Sequence, residues 1–412
     1  MPAPRNWSSR LSADTRLRVR NWLIATVGLA RAVENFDRPA WLYRARRRIP
    51  TGELRFREPS PITEQDVLLC ERLITAYARA KVDARDVGGM WSHEIIRDRQ
   101  RGLVLALERG DPAAVAELLA SMFRSDFVLG MAVGSLGMGR QPRVLVRLSY
   151  LATMSRLVSL AESQGAALVE NPEQGAIGVG LEDGVDELIQ RLETSLGLSL
   201  DFPAVGAAYG VLAAGRLIAP DTPEQVYAAA RIRDVIREHF SERTEALRVV
   251  EIGAGYGAMA YWLMKLFHES LQYVVVDLPI VNVLQGYFLA QALGHAQVSL
   301  YGEGSGRVTV LPGHALAAIE APFDVLLNKD SMPEIPRDAL LGYLRWARDA
   351  CTGIFYSYNQ EAAAEFAGTA QNVVPQVLTE VGGFARKRRD ASWLRRGYVE
   401  ELYELDGSVS QE

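Results

Sequence analysis

Val249-Val-Glu251-Ile-Gly253-Ala-Gly255-Tyr-Gly257-Ala258 decides how this 412-residue chain is read. An apolar run ends in three glycines at alternate positions and passes into an apolar, helix-spaced stretch from Ala258 to His268. Glycine lets the main chain turn tightly and leaves bare backbone N–H groups at a helix N-terminus, where a ligand can lie. Twenty-four residues after Gly253, a second apolar run, Tyr273-Val-Val-Val276, ends in Asp277-Leu278-Pro279. A carboxylate at that strand end can accept both hydroxyls of an adenosine ribose.

Working outward, short β-rich runs alternate with helical segments after Ser241. They are Leu247 to Ile252, Tyr273 to Val276, Val308 to Leu311, Phe323 to Leu327 and Gly353 to Tyr358. That grammar predicts five parallel strands covered on both faces. Phe384 to Arg388 and Tyr398 to Leu405 are expected to pair antiparallel at one edge. Before Ser241 the chain reads as mostly helix, with Glu64 to Val82, Asp98 to Glu108, Ala113 to Arg124, Val144 to Ser163, Gly184 to Leu196 and Thr222 to His239 as examples. Two domains are therefore expected, a helical one at 1–240 and an α/β one at 241–412, since single cores seldom exceed about 250 to 300 residues.

A hydrophobic fraction of 49%, 23% charged residues and a net charge of −5 describe an ordinary globular protein and argue against a general nucleic-acid binder. Cys70 and Cys351 are too few for a disulfide framework or a cysteine-rich metal site, and a cytoplasmic location is expected. No apolar run is long enough to span a membrane. Trp22 to Leu29 has the look of a short signal core, but it leads into Arg31 and Glu34 with helical spacing, and an apolar helix there could instead serve a homodimer or heteromer.

Gly253-x-Gly255-x-x-Ala258 also fits a relaxed dinucleotide fingerprint, so spacing alone leaves NAD and S-adenosylmethionine both open, beside a tight turn with no ligand. Glu251 favours S-adenosylmethionine, because a carboxylate suits its cationic amino-acid end and repels a pyrophosphate. The strand-end hairpin points the same way.

Glu251-x-Gly-x-Gly-x-Gly257 with Asp277 resembles class I S-adenosylmethionine-dependent methyltransferases. More narrowly, five stretches resemble the sugar O-methyltransferase family of bacterial natural-product clusters. They are Val250-Glu-Ile-Gly-Ala-Gly-Tyr-Gly257, Val276-Asp-Leu-Pro279, Asn328-Lys-Asp-Ser-Met-Pro-Glu334, Ser357-Tyr-Asn359 and Trp393-Leu-Arg-Arg-Gly-Tyr-Val-Glu-Glu401. The likeness covers 245–405 firmly and the helical half loosely. It implies a Rossmann-like core, a mainly parallel seven-stranded sheet with an antiparallel edge hairpin, and methyl transfer to a hydroxyl of a sugar or other natural product in antibiotic biosynthesis. Cofactor-binding residues expected on this basis are Glu251, Gly253, Gly255, Tyr256, Gly257, Asp277, Leu278 and Asn328.

Ligands of an open parallel sheet sit beyond the carboxyl ends of its strands, which places Lys329, Asp330 and Glu334 near the reacting atoms. Asp330 is the first candidate for the base that takes the acceptor's proton and Glu334 the second, with helix capping and arginine pairing as the plain alternatives. Lys329 could pin an anionic substrate group or simply point to solvent; it is one of only four lysines against 41 arginines. His314 is expected beside the adenine, and His93 could reach the acceptor as a base or be structural. Tyr227 and Arg231 share a helix face and could close over the cofactor carboxylate. The five histidines lack metal-site spacing, and no metal is expected. Two rival functions remain: elimination or cyclisation of an anionic intermediate without methyl transfer, with Lys329 holding the leaving anion, or a non-catalytic scaffold subunit.

Overall fold

The computed structural model describes residues 52, 54–83, 99–128, 130–132, 143–171, 173–175, 178–304, 306–366 and 369–405. His93, the loop around it and the Trp22–Leu29 stretch lie outside the described residues.

The helical half contributes α1 (Glu64–Asp83), α2 (Arg101–Arg109), α3 (Pro112–Leu119), α4 (Arg143–Ser163), α5 (Val185–Leu196) and α6 (Thr222–His239). Local chemistry sets their ends. Asp111 caps α3 by accepting the Ala114 N–H at 3.0 Å, with Pro112 at the first helical position. Gly110 and Gly197 end α2 and α5 in the left-handed conformation.

This half also carries a small antiparallel sheet of β1 (Arg55–Phe56), β2 (Tyr209–Ala213) and β3 (Arg216–Ile218), which the sequence reading did not anticipate. The β2–β3 turn is the two-residue loop Ala214-Gly215, both at positive φ. That geometry favours Asn-Gly or Asp-Gly, so an alanine in the first place hid the hairpin.

The α/β half comprises β4 (Leu247–Ile252), α7 (Ala258–Phe267), β5 (Leu271–Asp277), α8 (Pro279–Leu293), β6 (Val298–Ser299), β7 (Val308–Pro312), β8 (Phe323–Lys329), α9 (Arg337–Ala350), β9 (Cys351–Gln360), α10 (Val374–Val381), β10 (Phe384–Ala391) and β11 (Tyr398–Leu405). The strand order is β10-β11-β9-β8-β4-β5-β7-β6, with β11 antiparallel to both of its neighbours, β10 and β9, and the other neighbouring pairs parallel. This is a Rossmann-like α/β sheet. It has eight strands where seven were expected, because the two-residue β6 adds to the β7 edge.

Strand alternation divides the core. Val249, Tyr273, Val275, Val325 and Tyr356 point into one apolar cluster, shared with α1, α4, α6, α7 and α8. Val250, Val276, Leu326 and Phe355 point into the other, beneath α9 and α10. Near-continuous apolar strands are what a sheet covered on both faces requires. The first cluster runs without a break from Leu69 in the helical half to Tyr358, so the helical half is packed onto the sheet's helices rather than tethered beside them. At the β10 edge, Arg386 and Arg389 pair with Glu401, and Lys387 with Glu404. The positive charges of Arg386, Lys387 and Arg389 thus meet carboxylates of the neighbouring strand. Among the described residues no helix is long and apolar enough to cross a membrane, and no three His, Cys, Asp or Glu side chains gather as metal ligands.

Candidate functional site

A cleft of about 300 Å³ opens at the carboxyl ends of β4, β5 and β8, a size at the lower end for a small-molecule site. Its floor is the β4–α7 turn. Gly253, Gly255 and Gly257 all have positive φ, and a Cβ on Gly253 would lie 2.0 Å from Ser331 Oγ. Only glycine therefore fits at 253. The Gly253 N–H is pinned to the Val276 carbonyl at 2.8 Å.

Glu251, Gly253, Gly255, Tyr256, Asp277 and Leu278 all lie on the wall of this one cleft. Of the eight residues expected from the resemblance, the other two do not. Gly257 caps α7, where a Cβ would press on Leu289 at 3.1 Å, so its part is to start the helix. Asn328 is buried behind the turn. Its Nδ2 donates to the Ile252 carbonyl at 2.7 Å, and its Oδ1 accepts from Asn359 Nδ2 at 2.9 Å.

Both acids are perturbed. Burial pushes Glu251 up to about 8, against the opposing pull of a 2.9 Å bond from the Tyr273 hydroxyl and of Lys329. Burial likewise raises Asp277 to about 7, although it accepts from the Leu278 N–H at 2.8 Å and from Gln285 Nε2 at 2.9 Å. Perturbed acids gathered in a cleft are a common mark of a binding site.

Lys329, Asp330, Ser331 and Glu334 line the same cleft with Gln225, Arg395 and Tyr398. Lys329 does not point to solvent: Nζ donates to Glu224 Oε1 at 2.9 Å and stands 5.4 Å from the Tyr358 ring centre. Although burial alone would raise Glu224, Lys329 and Arg395 hold it at about 2. Asp330 adopts φ 67, a costly conformation for a side chain other than glycine. Its carboxylate accepts from Arg395 and, at 2.7 Å, from the Tyr398 hydroxyl. The Arg395 guanidinium covers the Tyr398 ring at 3.6 Å.

Three expectations are corrected. Tyr227 and Arg231 do not face the cleft, because both turn to the buried Glu400 on β11, and Arg231 also pairs with Asp390 at 3.0 Å. His314 is exposed after β7, edge-on to Tyr301 at 5.9 Å, while Tyr343 of α9 takes a place on the wall. Met131, Gln225, Tyr343, Arg395 and Tyr398 also line the cleft and were not among the expected site residues. Arg395 and Tyr398 belong to the 393–401 stretch, but their side chains converge on the cleft only through the β10–β11 hairpin.

Fold and site together define a Rossmann-like α/β protein with an open cleft at the head of its parallel strands. No family model and no curated protein matches the chain. Among solved structures it is similar to the mitomycin 7-O-methyltransferase MmcR, at 16% identity over 82% of this chain and 95% of that one, TM-score 0.35. It is also similar to the 1,6-didemethyltoxoflavin-N1-methyltransferase of Burkholderia thailandensis, solved with its substrate and S-adenosylhomocysteine, at 19% identity over 44% and 78%, TM-score 0.32. A third is the magnesium protoporphyrin IX methyltransferase of Synechocystis PCC 6803, solved with S-adenosylhomocysteine, at 12% identity over 45% and 87%, TM-score 0.31. At these values the similarity does not identify an activity.

Proposed function

We propose that the chain is an S-adenosylmethionine-dependent O-methyltransferase acting on a hydroxyl of a sugar or other natural-product intermediate. The observation that carries this reading is that the glycine turn, Glu251 and Asp277 share one cleft with a second wall of proton acceptors and donors. The residues fit the cofactor's chemistry. Asp277 would accept the ribose hydroxyls, Glu251 would face the cationic amino-acid end, and Gly253 and Gly255 leave room for it against bare main chain. Bound there, S-adenosylmethionine supplies an electrophilic methyl group.

The protein's contribution is alignment and proton removal. Asp330 is assigned as base, with Tyr398 and Arg395 fixing its orientation, and Glu334 as the second candidate. Lys329, engaged by Glu224, supports the acceptor wall rather than a leaving anion. Residues 1–240 would cover the cleft and supply acceptor contacts. Incubating the protein with S-adenosylmethionine and candidate hydroxylated acceptors should yield S-adenosylhomocysteine. Asp330→Asn should slow that yield by roughly 100-fold or more with cofactor affinity unchanged. An undiminished rate would remove Asp330 from the role.

A further inference from the structure

The face that α8 turns to the glycine turn carries an amide where an apolar side chain would pack more simply. Gln285 is fully buried, in a helix whose other buried side chains are almost all apolar. A buried amide is tolerated only when its hydrogen bonds are made, and those of Gln285 are. Nε2 donates to the Gly255 carbonyl at 2.8 Å and to Asp277 Oδ2 at 2.9 Å, while Oε1 accepts from Asn282 Nδ2 at 2.9 Å. A single side chain thus ties the glycine turn to the acid at the end of β5.

We infer that Gln285 is a positioning residue for nucleoside recognition: its amide fixes the Asp277 carboxylate against the glycine turn so that the acid's remaining lone pairs meet the ribose. The inference rests on the proposed cofactor reading and deepens it. Asp277 Oδ1 accepts from the Leu278 N–H and Oδ2 from Gln285, while the Gly255 and Ala254 N–H groups also act on the carboxylate, so Gln285 is its one side-chain donor among several main-chain ones. An amide NH₂ can only donate, so it favours the ionised acid, the form able to accept two hydroxyls. The titratable groups that share a field with Asp277 are Glu251 on β4 and Tyr343 on α9; α8 presents it with no charge. Preorganising an acceptor in this way lowers the cost of binding.

The test is calorimetry of S-adenosylhomocysteine with the whole chain, from about pH 5.5 to about pH 8.5, for the wild type, Gln285→Glu and Gln285→Met. Wild-type affinity should climb as pH rises through about 7, where Asp277 ionises, and level off only after Glu251 has ionised at about 8. Gln285→Glu sets two acids to share a proton, so the midpoint should rise by about one pH unit or more, with roughly tenfold weaker binding at neutral pH. Gln285→Met, which removes a donor that favours the ionised acid, should bind about tenfold more weakly at neutral pH and shift the midpoint upward. The glutamate variant keeps the shape of the side chain and, protonated, keeps a donor, so it reports even where the methionine variant fails to fold. A merely structural role would lower the melting temperature of Gln285→Met and leave its pH midpoint in place, whereas Gln285→Glu moves the midpoint by coupling alone. Folded variants that bind within about twofold of wild type at an unmoved midpoint overturn the inference. A wild type that binds at no pH overturns the cofactor reading and this inference with it.

Discussion

Lys329 Nζ donates to Glu224 Oε1 at 2.9 Å, joining the end of the parallel strand β8 to the first turn of α6 in the helical half. Both side chains are nearly enclosed, at 11% and 9% exposure, so the pair is costly to break from one side.

Removing the lysine should therefore destabilise the fold. Lys329→Met is expected to cost about 2 to 4 kcal/mol in urea unfolding at neutral pH, with Arg395 limiting the loss as the remaining partner of Glu224. The pH dependence carries the sign. Glu224 sits below its ordinary 4.5, at about 2, so its contribution is present above 4.5 and is lost as pH falls toward 2. The variant should show a flatter stability profile across that window.

Glu251 and Asp277 carry the opposite sign. Both are raised in the folded state, so their contribution is full near pH 4 and is lost as pH rises through about 7 for Asp277 and about 8 for Glu251. Glu251→Gln should make the ligand-free protein more stable at pH 8, by about 1 to 3 kcal/mol, while weakening S-adenosylmethionine binding. Thermal unfolding at pH 5 and pH 8 checks the first half; a variant no more stable at pH 8 than wild type contradicts the burial argument.

Gly253→Ala should cost more than about 2 kcal/mol, since the added methyl meets Ser331 Oγ at 2.0 Å and must adopt φ 71. Adding Ser331→Gly relieves the contact and leaves the backbone strain, so chemical denaturation should show partial recovery only. Full recovery would mean that strain contributes nothing.

Much of this was legible in the residues. The apolar runs gave β4 at Leu247–Ile252, β11 at Tyr398–Leu405 and α6 at Thr222–His239 with the bounds expected. Apolar periodicity and strong end signals make such elements local properties. The cleft's floor was equally legible, because glycines and a strand-end acid act through nearby main chain. What stayed hidden depends on distant chain. Tyr227 and Arg231 share a helix face, but only the folded β11 reveals Glu400 opposite them. Arg395 and Tyr398 reach the cleft through the turn of a hairpin, and Gln285 reads in sequence as one polar residue in an apolar helix.

The most direct measurement is calorimetry of S-adenosylmethionine with wild type and Asp277→Ala at about pH 8, where the acid is ionised. The proposed function predicts a single site in the wild type and no measurable heat of binding in the variant. A variant that binds as tightly as wild type, or a wild type that does not bind, contradicts it.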